Sequence, residues 1–309
     1  MKSIQDFEAP VKEEIQQYKH FYKNSLKSKN KFLDIISNYV HYRKENKLLS
    51  LITVLCAKMS GEVTERTFVA ASIIDHLYTA TQIHDDVEDE GFSKGFNKIS
   101  GLWKEKLSVL MGDYFLAKGL LLSVEQKSYD LLEIISKTVK EITEAELHTI
   151  YLSRDLSLST EEYLQIIKKK NASIYATSAR IGAISSGAKE DFITAMTLFG
   201  ENYGIALQIK KELIFENTTT NGKYRITLPL IISLGKATET EKNNILSLLQ
   251  KPVDKGLTEY FQNFTLSNAG IETAESMREE YKTKALENLT ELPYSKNLET
   301  TKKLLIKTI

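Results

Sequence analysis

Apolar residues recur at helical spacing over most of the chain, and alternating strand-like runs are nearly absent. The clearest stretch is residues 68–83, which contains neither Pro nor Gly and keeps its apolar pattern to the end. A second, residues 107–122, is more apolar than one side of a surface helix requires. Punctuation is sparse: 4 Pro and 14 Gly in 309 residues favour long helices over many turns. Pro10, Pro252 and Pro293 fall at segment ends, and Pro229 suits a helix start. The pattern predicts an all-α protein of about a dozen helices around one large core. No Pro/Gly/Ser linker, low-complexity tract or internal repeat divides it, so residues 1–309 are read as one domain.

The first apolar stretch runs into Gln82-Ile83-His84-Asp85-Asp86-Val87-Glu88-Asp89-Glu90. Helical spacing puts Asp85 and Asp89 on one face, with Asp86 beside them. Carboxylates crowded at the end of a buried helix repel one another and resist desolvation. They are tolerated if solvated, or if a hard cation sits among them. Mg2+ takes oxygen ligands, keeps several waters and bridges readily to a phosphate. A lone D-D-x-x-D leaves both readings open until its context is known.

Composition narrows the class. Charge is balanced, 41 basic against 41 acidic residues, which argues against a nucleic-acid partner. The lysines at 27–31 read as a solvated face, and those at 168–170 gain meaning only from context. The single cysteine, Cys56, has no intrachain disulfide partner and lies in a core-like run. The N-terminus has no signal-peptide h-region, and no apolar run approaches the ~18 residues that span a bilayer. The chain is therefore expected to be cytoplasmic, without a transmembrane segment. His84 could donate to a neighbouring carboxylate or simply be packed; His20, His41, His76 and His148 read as packed or solvated. No Ser-His-Asp, G-x-S-x-G, P-loop or C-x-x-C arrangement appears.

Segments C-terminal to the acidic cluster supply context. Ser93-Lys94-Gly95 is followed by Leu107-Ser108-Val109-Leu110-Met111-Gly112-Asp113-Tyr114-Phe115. Further on come Lys170-Asn171-Ala172, Ala179-Arg180-Ile181-Gly182-Ala183, and Phe199-Gly200-Glu201-Asn202-Tyr203-Gly204-Ile205-Ala206-Leu207-Gln208-Ile209. Thr227-Leu228-Pro229 closes the series. In order and spacing, over nearly the whole chain, these segments resemble the trans-polyprenyl diphosphate synthase family. The resemblance implies an all-α bundle of isoprenoid-synthase type around a central apolar cavity. It implies allylic and isopentenyl diphosphate substrates, Mg2+, and a dimer paired through helices near residues 106–122.

By the same resemblance, Asp85, Asp86 and Asp89 hold the metal and, with Lys170, are the catalytic residues. Arg43, Lys44, Lys94, Lys170, Asn171, Gln208, Lys211 and Arg225 bind substrate. Leu77, Ala80 and Thr81 line a chain-length tunnel. In such enzymes metal and cations stabilise the diphosphate as it leaves, so no protein nucleophile is needed. The chain also departs from the pattern. Where the family carries a second D-D-x-x-D, this chain reads Lys211, Glu212 and Phe215. Asn46 stands where the family has Arg, Tyr78 where it often has His or Gln, and Ser93-Lys94 where it has Arg-Arg. Lys is a flexible point charge, without the planar fork of Arg. The expected Mg2+ site is accordingly weak or incomplete, and Lys210 or Lys211 is expected to face the aspartates across the cavity mouth.

These departures give one leading reading and three others. The first is a catalytically impaired or partner subunit, a homodimer or a heteromer with a complete prenyl diphosphate synthase. The others are an autonomous Mg2+-dependent prenyltransferase with an altered metal set, a cyclase-like enzyme, and a non-enzymatic isoprenoid-binding protein.

Overall fold

The computed structural model describes residues 7–31, 33–34, 47–85, 101–152, 158–214, 219–220, 223–224, 226–249, 251–252, 254–290, 292 and 295–309. It is all-α, as the periodicity predicts. A 3-10 turn, Ala9–Val11, leads into α1 (Lys12–Leu26), whose Ile15, Tyr18, Tyr22 and Leu26 form one buried stripe. Then come α2 (Lys47–Ser60), α3 (Glu65–Asp85), α4 (Gly101–Glu125) and α5 (Tyr129–Leu152). Helix α6 (Thr160–Ile167) opens on a capping box between Ser159 and Glu162 and passes through a π-helical turn, Lys168–Ala172, into α7 (Ser173–Ser185). Helix α8 (Glu190–Leu213) leads to an antiparallel hairpin of two-residue strands, β1 (Thr219–Thr220) and β2 (Lys223–Tyr224). The chain ends with α9 (Leu228–Lys236), α10 (Glu239–Leu249), α11 (Lys255–Ser267), α12 (Gly270–Asn288) and α13 (Lys296–Thr308).

The run at 68–83 lies inside α3, which packs against α2, α4 and α7; α7 in turn packs on α8, and α8 on α12. Every residue from 69 to 77 is buried, so α3 is a central helix rather than an amphipathic surface one. Cys56 is buried, as its setting suggests, and burial raises its thiol pKa well above the ordinary range. Pro229 occupies the first turn of α9.

A cluster of polar groups sits where α1, α2 and α3 meet in this core. The Tyr18 hydroxyl on α1 donates to Asp75 on α3, and Ser50 on α2 also hydrogen-bonds that carboxyl. Beside it His76 is fully buried, its ring 4.9 Å from Tyr22 and 5.9 Å from Phe115. Neither imidazole nitrogen has a hydrogen-bond partner among the described residues. His76 is thus packed, one of the two outcomes the sequence left open, with the rings of Tyr22 and Phe115 beside it.

Helix α4 corrects one expectation. Its segment Lys106–Glu125, with a mean hydropathy of 1.5, is long and apolar enough to cross a membrane by length and composition. Asp113 and Lys118 interrupt the run only singly, so they do not break it. Val109, Leu110, Leu121 and Val124 are exposed along this helix. At the open end of the α4–α5 hairpin, Leu147, Ile150 and Tyr151 are exposed as well.

Candidate functional site

Asp85 closes α3, and its carboxylate lies outside the described residues, as do Asp86, Asp89, Arg43, Lys44, Asn46, Ser93, Lys94, Phe215 and Arg225. What the structure brings together is the other half: Lys170 from the π turn and Gln208 from α8.

The π turn is held from two sides. Lys168 pairs with Glu201 of α8 at 2.8 Å, and Lys170 pairs with Glu146 of α5 at 2.5 Å. π turns widen one turn of a helix and re-aim its side chains, and they are frequent at functional sites. Close approach of α8 depends on glycine. A Cβ at Gly204 would lie 2.6 Å from Cα of Ala172, inside any real contact, and Gly200 meets the α7 backbone in the same way. These two glycines, one turn apart, let the π turn and α7 settle onto α8 and bring Lys170 toward Gln208. Asn171 is half-buried in the same turn.

Glu212 links the two: it bonds Gln208 and feels the charge of Lys170. Its Oε1 accepts from Nε2 of Gln208 at 2.8 Å, and its Oε2 accepts from the backbone N–H of Leu228 at 2.7 Å. The Tyr163 hydroxyl sits 3.2 Å from Oε1 and 2.9 Å from the Ile226 carbonyl, and shares its one proton between them. Burial raises the Glu212 pKa, and its hydrogen bonds and the charge of Lys170 pull it back down. The N–H of Leu228 is the first orphan donor of α9, and Thr227, the N-cap residue, gives no side-chain cap. Glu212 does that work from α8.

Lys210, one of the two lysines beside it, already has a partner. Lys210 donates to the Thr308 carbonyl at 2.9 Å, at the C-terminal end of α13, where Tyr203 also meets the Thr308 hydroxyl at 2.8 Å. An ammonium satisfies an orphan carbonyl there and meets the negative end of the helix dipole. Lys210 is therefore engaged at the end of α13, while the aspartates it was expected to face lie outside the described residues. Lys211 is exposed. His84 is held 3.6 Å from Asp113 of α4. Leu77 and Ala80 are buried in the core, and the half-buried Thr81 turns its hydroxyl back to the Tyr78 carbonyl at 2.9 Å. A polar recess of about 280 Å3 near Arg66, Lys127 and Asp130 lies at the opposite end of α3 from Asp85 and takes no part in this site.

Sequence reading missed Glu146 and Tyr163, which carry no motif, and the capping role of Glu212. The last left no signal in the sequence, because Thr227 is itself a favoured N-cap type and only the coordinates show that its side chain does not cap.

Among known proteins, the family model for polyprenyl synthetase matches residues 30–263. Geranylgeranyl diphosphate synthase of Saccharolobus solfataricus is 28% identical over 294 residues, covering 88% of each chain. Heptaprenyl diphosphate synthase component 2 of Bacillus subtilis is 27% identical over 255 residues, covering 78% of this chain and 72% of that one. A polyprenyl synthase of Caulobacter crescentus, solved in complex with calcium and isoprenyl diphosphate, superposes with a TM-score of 0.84 at 22% identity, covering 99% of this chain and 97% of that one. The chain belongs to the polyprenyl synthetase family, the prenyltransferases of isoprenoid biosynthesis, and has their all-α fold.

Proposed function

We propose that this chain is a single-domain prenyl diphosphate-binding subunit whose own catalytic site is impaired, and that it works in a dimer or heteromer with a complete prenyl diphosphate synthase. The observation that carries this reading is the fate of the second motif segment. Lys211 and Phe215 replace two of its carboxylates, and the remaining one, Glu212, is spent on Gln208 and on the N-terminus of α9. Mg2+ at Asp85, Asp86 and Asp89 fits the chemistry of three hard oxygen donors. The second side does not fit it: a single carboxylate, already accepting from two N–H groups and facing the Tyr163 hydroxyl, offers no ligand set. Among the described residues no group of three His, Cys, Asp or Glu side chains gathers to hold a metal.

In the proposed site Lys170 and Gln208 meet the diphosphate, with Asn171 and Lys211 near it and Arg43, Lys44, Lys94 and Arg225 completing the cationic side. Leu77, Ala80 and Thr81 face the prenyl chain. Assembly is supported by the exposed apolar residues of α4 and of the end of α5, an unusual surface for an unpartnered chain. A relative named as one component of a heptaprenyl diphosphate synthase is in keeping with a heteromer.

Turnover with allylic and isopentenyl diphosphates, measured for this chain alone and mixed with a complete synthase from the same organism, tests the proposal. Turnover should be weak alone and should change in rate or product length in the mixture. Mg2+-dependent turnover by the chain alone, at the rate of the complete synthase, would establish the autonomous enzyme instead.

A further inference from the structure

We propose that Glu212 is a positioning residue and not a metal ligand: it fixes Gln208 and the start of α9 behind Lys170, and it cannot serve a cation without releasing them. The proposal rests on the reading that Lys170 and Gln208 meet a diphosphate.

A carboxylate offers about four lone-pair positions. At Glu212 they face the Leu228 N–H at 2.7 Å, the Gln208 amide at 2.8 Å and the Tyr163 hydroxyl at 3.2 Å. Each donor comes from a different helix or helix position: α9, α8 itself and α6. The Leu228 N–H has no substitute acceptor in its own cap residue. Withdrawing Glu212 to a cation would leave that donor unsatisfied in a buried helix start, and buried donors are seldom left so. The Gln208 contact fixes which end of its amide faces Glu212, because only the nitrogen can donate to a carboxylate. Lys170 is near enough for its charge to act on the carboxyl, yet its short ion pair is with Glu146. Glu212 is therefore the hub that holds α6, α8 and α9 together on the side of the site facing the π turn.

The test uses the full chain with E212Q, E212A and K170M, read by thermal melting with and without Mg2+ and by calorimetric titration of inorganic pyrophosphate with and without Mg2+. E212A should melt below wild type and weaken pyrophosphate roughly fivefold, equally in both conditions. E212Q keeps one carbonyl oxygen for the Leu228 N–H and should recover most of the melting temperature. Because the ratio of affinities with and without Mg2+ is then unchanged, its collapse toward one in either variant overturns the proposal. So does an E212A chain that melts like wild type. If E212A fails to fold, E212Q carries the same comparison. Pyrophosphate that does not bind wild type, or binds K170M equally well, sinks the diphosphate reading rather than this one. Glu212 is then judged by melting: Mg2+ that stabilises wild type but not E212Q overturns it.

Discussion

The Tyr18 hydroxyl of α1 donates to Oδ2 of Asp75 on α3 at 2.5 Å, across 57 residues of chain and inside the core. It ties the N-terminal helix to the helix that ends at Asp85, and it does so through a carboxyl whose protonation is set by burial.

That carboxyl predicts a pH dependence. Burial raises Asp75 from 3.8 to about 7 against the pull of Tyr18 and Ser50. Native Asp75 thus holds its proton more tightly than the unfolded chain does. Its contribution to stability is complete below 3.8 and is lost as pH rises through about 7. His76 runs the other way. Burial first, and the Lys118 charge second, lower it from 6.5 to about 3, so its contribution is complete above 6.5 and is lost as pH falls toward 3. Between 3.8 and 6.5 the two slopes oppose, each of them about 1.4 kcal/mol per pH unit. Urea unfolding across that window should be nearly flat for wild type, should rise with pH for D75N and should fall with pH for H76F. Three parallel profiles would refute the assignment.

Gly204→Ala places a methyl where the Ala172 backbone already lies. The helix pair must part or the π turn must shift, at a cost of about 1–3 kcal/mol. The melting temperature should drop, and pyrophosphate should bind less tightly because Lys170 moves with the turn. Unchanged affinity in a destabilised variant would separate the packing of the turn from the site.

Assembly should fail when the α4 face is charged. Leu110 and Leu121 are 56% and 54% exposed, so L110E or L121E costs the isolated fold little. Sedimentation at micromolar concentration should give a larger species for wild type and a smaller one for the variants. Equal sedimentation of all three, with full helicity, would remove this face as the interface.

Restoring acids at Lys211 and Phe215 tests the proposed loss of the second metal side. K211D/F215D should raise Mg2+ affinity measured with pyrophosphate, since it replaces a cation and a ring with two hard oxygen donors. Turnover should stay low, because Asn46, Tyr78 and Ser93 remain. Full turnover in the double variant would show that the second motif was the whole deficit.

Sequence alone determined the elements and the family. Helix formation is written in spacings of three and four residues and in Gly and Pro, so residues 68–83 and 107–122, and the start at Pro229, were legible without coordinates. The order of the motifs is linear and could be read along the chain. The partners were not legible, because an orphan donor or a buried carboxyl is satisfied by whatever packing brings within 3 Å. Glu212 meets Leu228 sixteen residues on, Lys210 meets Thr308 ninety-eight residues on, and Lys170 meets Glu146 on another helix. At 210 the sequence shows a lysine beside the Lys211-Glu212 segment; only the hydrogen bond from α8 to the end of α13 turns it into a helix cap.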